Sequence, residues 1–208
     1  MYREALFLGI EKLQEKEFIC TNDIIEIGNK IISTNSGIRK LPGTVIADKT
    51  SGEVIYTPPE GEDLIRGKMQ NLEEYFNSTD KEIHPLVKLA VIHYQFEAIH
   101  PFYDGNGRTG RILMILYLIK HSLLEVPNIF LSRYILAHRG EYYHALKDVT
   151  QKNDWQNWIK YTLNAVHNTA EYSYNKINQI QLALKNTIKM VKSELPKIYT
   201  YELVEKLF

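Results

Sequence analysis

The chain has 208 residues, enough for one sizeable domain with a real core and a small appendage. Lys plus Arg and Asp plus Glu number 25 each, so the formal charge is zero, which argues against a general polyanion-binding surface and against nucleic acid as a partner. With 44% hydrophobic and 24% charged residues the composition excludes a disordered chain, and no apolar run approaches the roughly twenty residues that span a bilayer.

Taken in chain order, apolar residues recur mostly at three and four positions, which predicts a mainly α fold. The opening MYREALFLGIEKLQEKE carries acidic residues inside its apolar stretch and has no small-residue cleavage site, so it does not read as a secretory signal. Instead, residues 3–15 form a helix with Leu6, Ile10 and Leu13 on one face. The single cysteine, Cys20, can make neither an internal disulfide nor a Cys-rich metal site, which suits a cytoplasmic protein. A second helix, 22–33, follows a capping Thr21 or Asn22 and carries Ile24, Ile25, Ile27, Ile31 and Ile32.

From Asn35 to Gly61 the pattern changes. Four glycines, a Lys-Thr-Ser-Gly turn at 49–52 and the β-prone runs Thr44-Val45-Ile46 and Val54-Ile55-Tyr56-Thr57 predict a β-hairpin, closed by Pro58-Pro59. The helical period then returns, with Leu64, Ile65, Met69, Leu72 and Phe76 on a stripe ending near Asn77-Ser78. Pro85 starts the next helix, which runs to about Ala98, because His100 precedes a proline and is pushed out of the helical region. Another helix starts around Asn106 to Arg108; its run Ile112 to Ile119 is apolar nearly all round and should be buried. Beyond Pro127 come a short apolar piece, 128–137, a helix around 140–149 and a long helix from about Trp155 to Leu195, stopped by Pro196. In its last part Ile177, Ile180, Leu184, Ile188 and Val191 form a narrow stripe, read as packing on the helix's own domain in preference to a homodimer seam. The end, Tyr201 to Phe208, reads as an amphipathic helix start with nothing left to pack against. Residues 1–195 are therefore expected to form one domain, and 196–208 the truncated start of a further, winged-helix-like module.

The chemistry concentrates in residues 99–111, Ile-His-Pro-Phe-Tyr-Asp-Gly-Asn-Gly-Arg-Thr-Gly-Arg, between two apolar helices. Gly105 and Gly107 allow a tight turn whose N–H groups, with those of the following helix start, can point at one anion. Arg108 and Arg111 lie three apart on one helical face and can grip neighbouring phosphate oxygens in bidentate fashion. Two cations at a helix N-terminus oppose the helix dipole, so they call for an anion. Asp104 offers a hard oxygen suited to Mg²⁺ shared with a nucleotide phosphate, and His100 an imidazole able to take a proton near pH 7. Together these residues point to phosphoryl or nucleotidyl transfer. His93 and His144 read as packing or surface histidines, and Glu97 as a structural carboxylate or orienting group near the loop.

This stretch resembles the signature of the Fic (Fic/Doc) family, His-Pro-Phe-x-Asp-Gly-Asn-Gly-Arg-x-x-Arg, at every specified position. Val54-Ile-Tyr-Thr-Pro-Pro59 resembles the family's flap and Glu141-Tyr-Tyr-His-Ala-Leu146 its nucleotide-pocket helix, so the resemblance spans roughly residues 40–170. It implies an all-α, Fic-like helical domain with a small β-hairpin flap beside the catalytic loop, and AMP transfer from ATP to a Ser, Thr or Tyr hydroxyl of a protein, including this protein itself. His100 is implied as general base and Asp104 as Mg²⁺ ligand. Asn106 and the amides of Gly105 to Gly107 would hold the α- and β-phosphates, Arg108 the β- and Arg111 the γ-phosphate, with Thr109 and Gly110 in the same nucleotide-binding stretch. Phe102 would anchor the loop. Tyr143 and Leu146, with Tyr142 close by, would flank the adenine, and Val54, Ile55 and Tyr56 would hold the target's backbone by strand addition.

The family's inhibitory Ser/Thr-x-x-x-Glu-Gly/Asn helix finds no match; Ser78-Thr-Asp-Lys-Glu82-Ile comes nearest and lacks the final small residue. Such a helix is expected either in trans or upstream of Met1. Two other readings stand beside this one: the same site using another nucleotide donor or removing AMP, and a regulatory, DNA-associated protein in which this domain is an accessory.

Overall fold

The computed structural model describes residues 1–47, 52, 54–79 and 82–207. Two helices open the chain, α1 (Tyr2–Lys16) and α2 (Thr21–Ile32). Strands β1 (Ile46–Ala47) and β2 (Val54–Tyr56) pair antiparallel, Ile46 with Tyr56 and Ala47 with Val54, with a bulge between. The strands are thus shorter than expected, and residues 49–51 of the expected turn lie outside the described residues, as do 80 and 81 of the near-match to the inhibitory motif. Helices α3 (Glu62–Asn77), α4 (Pro85–Ile99), α5 (Asn106–Lys120), α6 (Leu131–Ala137), α7 (Arg139–Lys152), α8 (Trp155–Glu194) and α9 (Tyr201–Glu205) follow. The all-α architecture with one small hairpin is as expected.

Local chemistry explains the element ends. The cap of α2 is Cys20, not Thr21 or Asn22: the Asp23 carboxylate accepts from the Cys20 amide at 2.9 Å and its thiol at 3.0 Å. Thr21 is diverted, its amide and hydroxyl both donating to Glu73 of α3. At α4, Pro85 occupies the first turn and Nδ1 of His84 accepts from the Leu86 amide at 3.2 Å. The helix runs to Ile99 and stops because His100, the residue before Pro101, turns left-handed at φ 49°. Gly105, at φ 83°, then turns the chain into α5.

Helix α5 is the central strut. Residues Ile112 to Leu118 are all buried, against α1 and α2 on one side and α4 on another. Gly9 lets α1 approach closely, since a methyl group there would meet Leu116 at 2.8 Å. On α3, Ile65, Met69, Leu72 and Phe76 are buried as expected, whereas Leu64 is half exposed because it falls one position off the core-facing stripe. A second core, with Ala90, Ile135, Tyr142 and Trp158, joins α4 to α6, α7 and α8; the buried Trp158 indole donates to the Ala90 carbonyl at 2.7 Å. The piece read as 128–137 is helix α6 over most of its length.

The last half of α8 corrects the packing expectation. Buried positions end at Ser173; beyond it Tyr174, Ile177, Ile180 and Leu182 are exposed. At about 1.5 Å per residue, the remaining turns carry the helix past the body of the domain, so the stripe has no core to meet. Among the described residues α9 folds back against it, burying Val204 completely, so the terminal segment does find a packing partner. Among the described residues no helix is long and apolar enough to cross a membrane.

Candidate active site

The loop between α4 and α5 is held from below by its own side chains. Asn106 accepts from the Phe102 amide at 2.9 Å and donates to the Phe102 carbonyl at 2.7 Å, and the Thr109 hydroxyl donates to the Gly105 carbonyl at 3.0 Å. Phe102 is buried against Gly28, where an added methyl would lie 2.7 Å from its ring. From the flap side Arg39, wholly buried, donates through Nε to the His100 carbonyl at 2.8 Å and through Nη2 to the carbonyls of Pro59 and Ile99. Its own amide donates to Pro101 at 2.9 Å. One arginine therefore ties the flap's exit to the residue that turns left-handed.

Above the loop lies a cavity of about 360 Å³, within the range of small-molecule sites. The loop and α5 contribute His100, Gly107 and Arg111; α4 contributes Tyr94, Glu97 and Ala98. The flap supplies Ile46, Ile55 and Tyr56, and α7 supplies Arg139, Tyr142, Tyr143 and Leu146. Tyr56 also anchors the flap, its hydroxyl donating to the Ala98 carbonyl at 3.0 Å. The Arg139 guanidinium sits 5.4 Å from the Tyr143 ring centroid, and the hydroxyls of Tyr94 and Thr150 are bonded at 3.0 Å across the rim.

Burial dominates the electrostatics. It pushes the His100 imidazole down to about 4, with the Glu97 backbone carbonyl opposing and Arg39 assisting, so the ring is neutral at pH 7. His93, stacked on Trp158 and bonded to the Tyr142 hydroxyl at 3.1 Å, is pushed down to about 3. Tyr142 is correspondingly held well above its ordinary value by burial. Glu97 moves the other way: burial raises its carboxyl to about 7, partly offset by the nearby Arg111.

Of the residues expected to bind nucleotide, the structure brings His100, Gly107, Arg111, Tyr142, Tyr143 and Leu146 to one cavity with Ile55 and Tyr56. Others stand elsewhere. Both polar ends of the Asn106 side chain are spent on Phe102, leaving only its amide for a ligand. Thr109 is buried and back-bonded inside the helix. Gly110 faces α4, where a methyl would come within 2.7 Å of Glu97 Oε1, so it is a packing glycine. Asp104 and Arg108 pair with each other at 3.0 Å outside the cavity, Asp104 also accepting from the Gly105 amide at 2.6 Å. Val54 is exposed on the flap, outside the cavity lining.

Sequence reasoning passed over Arg39, Tyr94 and Arg139, and read Glu97 only as a structural or orienting carboxylate near the loop. The α7 residues were open to it, since Arg139, Tyr143, Leu146 and Thr150 recur at helical spacing. Glu97 lies in the last turn of α4, three before His100. For Arg39, an isolated arginine in a glycine-rich segment, no sequence signal exists. His144, as expected, is a surface residue, 3.4 Å from Asp148. No group of three or more His, Cys, Asp or Glu side chains that could hold a metal converges among the described residues.

Comparison with known proteins covers the same ground. The profile of the Fic/DOC family matches residues 18–118. Among curated proteins, the chain is similar to a protein adenylyltransferase Fic from Nematostella vectensis, 29% identical over 174 residues, covering 81% of this chain and 37% of that protein. A protein adenylyltransferase Fic from Drosophila mojavensis is 28% identical over 160 residues, 76% of this chain and 30% of that one. The chain thus spans about a third of the length of these curated relatives. Among solved structures, a Fic family protein from Desulfovibrio desulfuricans G20 superposes with a TM-score of 0.64 at 22% identity, over 91% of this chain and 57% of that one. Fic-1 (residues 134–508, E274G) from C. elegans gives 0.62 at 23% identity, over 83% and 48%. The profile match runs from just before α2 into the last turn of α5, so it encloses the flap, the loop and the helices that hold them; residues 18–118 match the Fic/DOC family domain.

Proposed function

We propose that the chain transfers AMP from ATP to a hydroxyl group of a protein. One observation carries this reading: a neutral imidazole, a guanidinium at the start of a helix and an aromatic wall all open into a single cavity of nucleotide scale beside an edge hairpin. The names of the curated relatives, adenylyltransferases, support it.

In this reading the base and sugar lie toward Tyr143 and Leu146, and the phosphates toward Gly107 and Arg111. His100, neutral because it is buried, takes the proton from the target hydroxyl as that oxygen attacks the α-phosphorus, and pyrophosphate leaves. The protein's part is mainly positioning and neutralising charge, so the rigid seating of the loop by Arg39, Asn106 and Phe102 belongs to the mechanism. Asp104 is a single exposed carboxylate, which fits Mg²⁺ only when phosphate oxygens complete the shell; such an ion would offset phosphate charge. The exposed edge at Val54, with Ile55 beneath it, would receive the target's backbone as an added strand.

The test is label transfer to protein from ATP labelled on the α-phosphate, set beside γ-labelled ATP, for the wild type and His100→Ala. Transfer from the α-label alone, abolished in the variant, is expected. Transfer from the γ-label alone would make the chain a kinase, and transfer that survives His100→Ala would remove His100 as the base.

A further inference from the structure

Glu97 is a buried carboxylate that the mechanism above does not use. Its Oε1 has no hydrogen-bond partner among the described residues, and the buried Nε of Arg111 has none either. The two side chains flank one point over the start of α5: a methyl built on Gly107 would lie 3.2 Å from Nη1 of Arg111 and 3.9 Å from Oε1 of Glu97. Two glycines one turn apart, Gly107 and Gly110, leave the room these groups occupy. Leaving a buried carboxylate without a hydrogen bond is costly unless the group serves a purpose.

We propose that Glu97 is the buried counter-charge of Arg111 and a positioning residue for the phosphate end of the cavity: before a nucleotide arrives its carboxylate offsets the guanidinium, and once a polyphosphate engages Arg111 the carboxylate takes up a proton from solvent. This rests on the reading that the cavity binds ATP. Phosphate oxygens on Arg111 remove the positive charge that keeps Glu97 ionised and add negative charge nearby, and both changes favour the neutral acid. Nucleotide binding and proton uptake are then linked, each strengthening the other.

The groups facing Glu97 leave it as the titrating partner. On α4 His93 is neutral, held down to about 3, and at the loop His100 is held down to about 4. On α7 Tyr142 stays protonated. Arg111 on α5 and Arg39 below the loop keep their charge, as arginines do throughout this range. Across the cavity stand Tyr94, Arg139, Tyr143 and Lys147. Glu97, raised to about 7, is the member of the buried set that changes charge between pH 6 and 8.

The experiment is calorimetric titration of the protein with Mg-ATP at pH 7.5 in phosphate and in Tris, whose ionisation enthalpies differ, for the wild type and Glu97→Gln. The difference between buffers counts protons, and the nucleotide's own ionisation is common to both proteins. The wild type is expected to take up roughly half to three-quarters of a proton more than the variant, and its affinity should fall about tenfold more than the variant's between pH 6.5 and 8.5. AMP, which lacks the outer phosphates, should produce little uptake. If Glu97→Gln does not fold, the carboxyl carbon-13 shift of Glu97 in the wild type, followed across pH with and without Mg-ATP, reads the same protonation directly. ATP binding with equal proton counts, or with an unmoved Glu97 signal, overturns the inference and leaves the functional reading standing; no ATP binding at all overturns both.

Discussion

Three buried groups with displaced acidities make the fold's stability depend on pH in a way the structure specifies. An unfolded histidine titrates near 6.5 and an unfolded glutamate near 4.3. His93 and His100 are held down to about 3 and 4, so the unfolded chain binds more protons than the native one below pH 6.5, and their contribution is lost as pH falls. Glu97, raised to about 7, acts oppositely: the native state keeps its proton up to pH 7, so its contribution is present in acid and is lost as pH rises from about 4.3 toward 7. Between pH 7 and 5 the two histidines together cost about 4 kcal/mol and Glu97 returns about 2, leaving a net loss of about 2 kcal/mol. In Glu97→Gln the compensation is gone, and the same acid step should cost about 4 kcal/mol. Urea unfolding followed by tryptophan fluorescence at pH 5, 6 and 7 measures both, because Trp158 is buried in the core beside His93. If the wild type and Glu97→Gln lose stability in parallel over this range, Glu97 is not protonated in the native state and the reasoning fails.

Further expectations concern the loop and its supports. Arg39→Met removes the donors to His100 and Pro59 and strands buried carbonyls; a loss of about 3 kcal/mol is expected, and at 2–4 °C per kcal/mol for a chain of this size a melting point lower by roughly 10 °C. A melting point within two or so degrees of the wild type would contradict the clamp. If His100 is the base, the rate of label transfer should stay level down to about pH 5 and decline as pH falls through about 4, well below the fall near 6.5 expected of a solvated histidine. Gly28→Ala pushes a methyl within 2.7 Å of the Phe102 ring, and overpacking of about 1–3 kcal/mol should appear as a lower urea midpoint.

How far the sequence could be read depended on whether a signal was local. The helices α1 to α5 were legible because each carries its own period and its own stop: Pro85 starts α4, and His100 before Pro101 ends it. The loop was legible as chemistry because its residue types are adjacent in the chain. What stayed hidden was long range. Arg39 lies sixty-one positions from His100, and nothing in the sequence near Arg39 says which carbonyls it will meet. Glu97 carries no mark of its burial until α5 and α7 close over it. The apolar stripe of α8 was misread for the converse reason: periodicity says that a face is apolar, but not whether anything stands opposite it.

The division of labour inside the loop offers a final discriminating case. A residue between two glycines of a loop expected to cradle phosphate invites the reading that its side chain binds phosphate, yet the Asn106 side-chain amide is buried and doubly bonded to Phe102, at 2.9 and 2.7 Å. Asn106→Ala would delete both bonds and leave the Phe102 N–H and C=O buried without partners, at about 1–3 kcal/mol each, so a stability loss of roughly 2–6 kcal/mol is expected. Asn106→Asp separates the two roles. It keeps the acceptor for the Phe102 amide but sets a carboxylate oxygen against the Phe102 carbonyl, so it should destabilise about as much as alanine. A side chain that touched phosphate would behave differently: its replacement by alanine would leave the urea midpoint nearly unchanged and weaken ATP binding. Measured side by side, a large fall in midpoint for both variants assigns Asn106 to the scaffold. A normal midpoint with weakened ATP binding would return it to the ligand, and the loop would then have to rearrange when nucleotide binds.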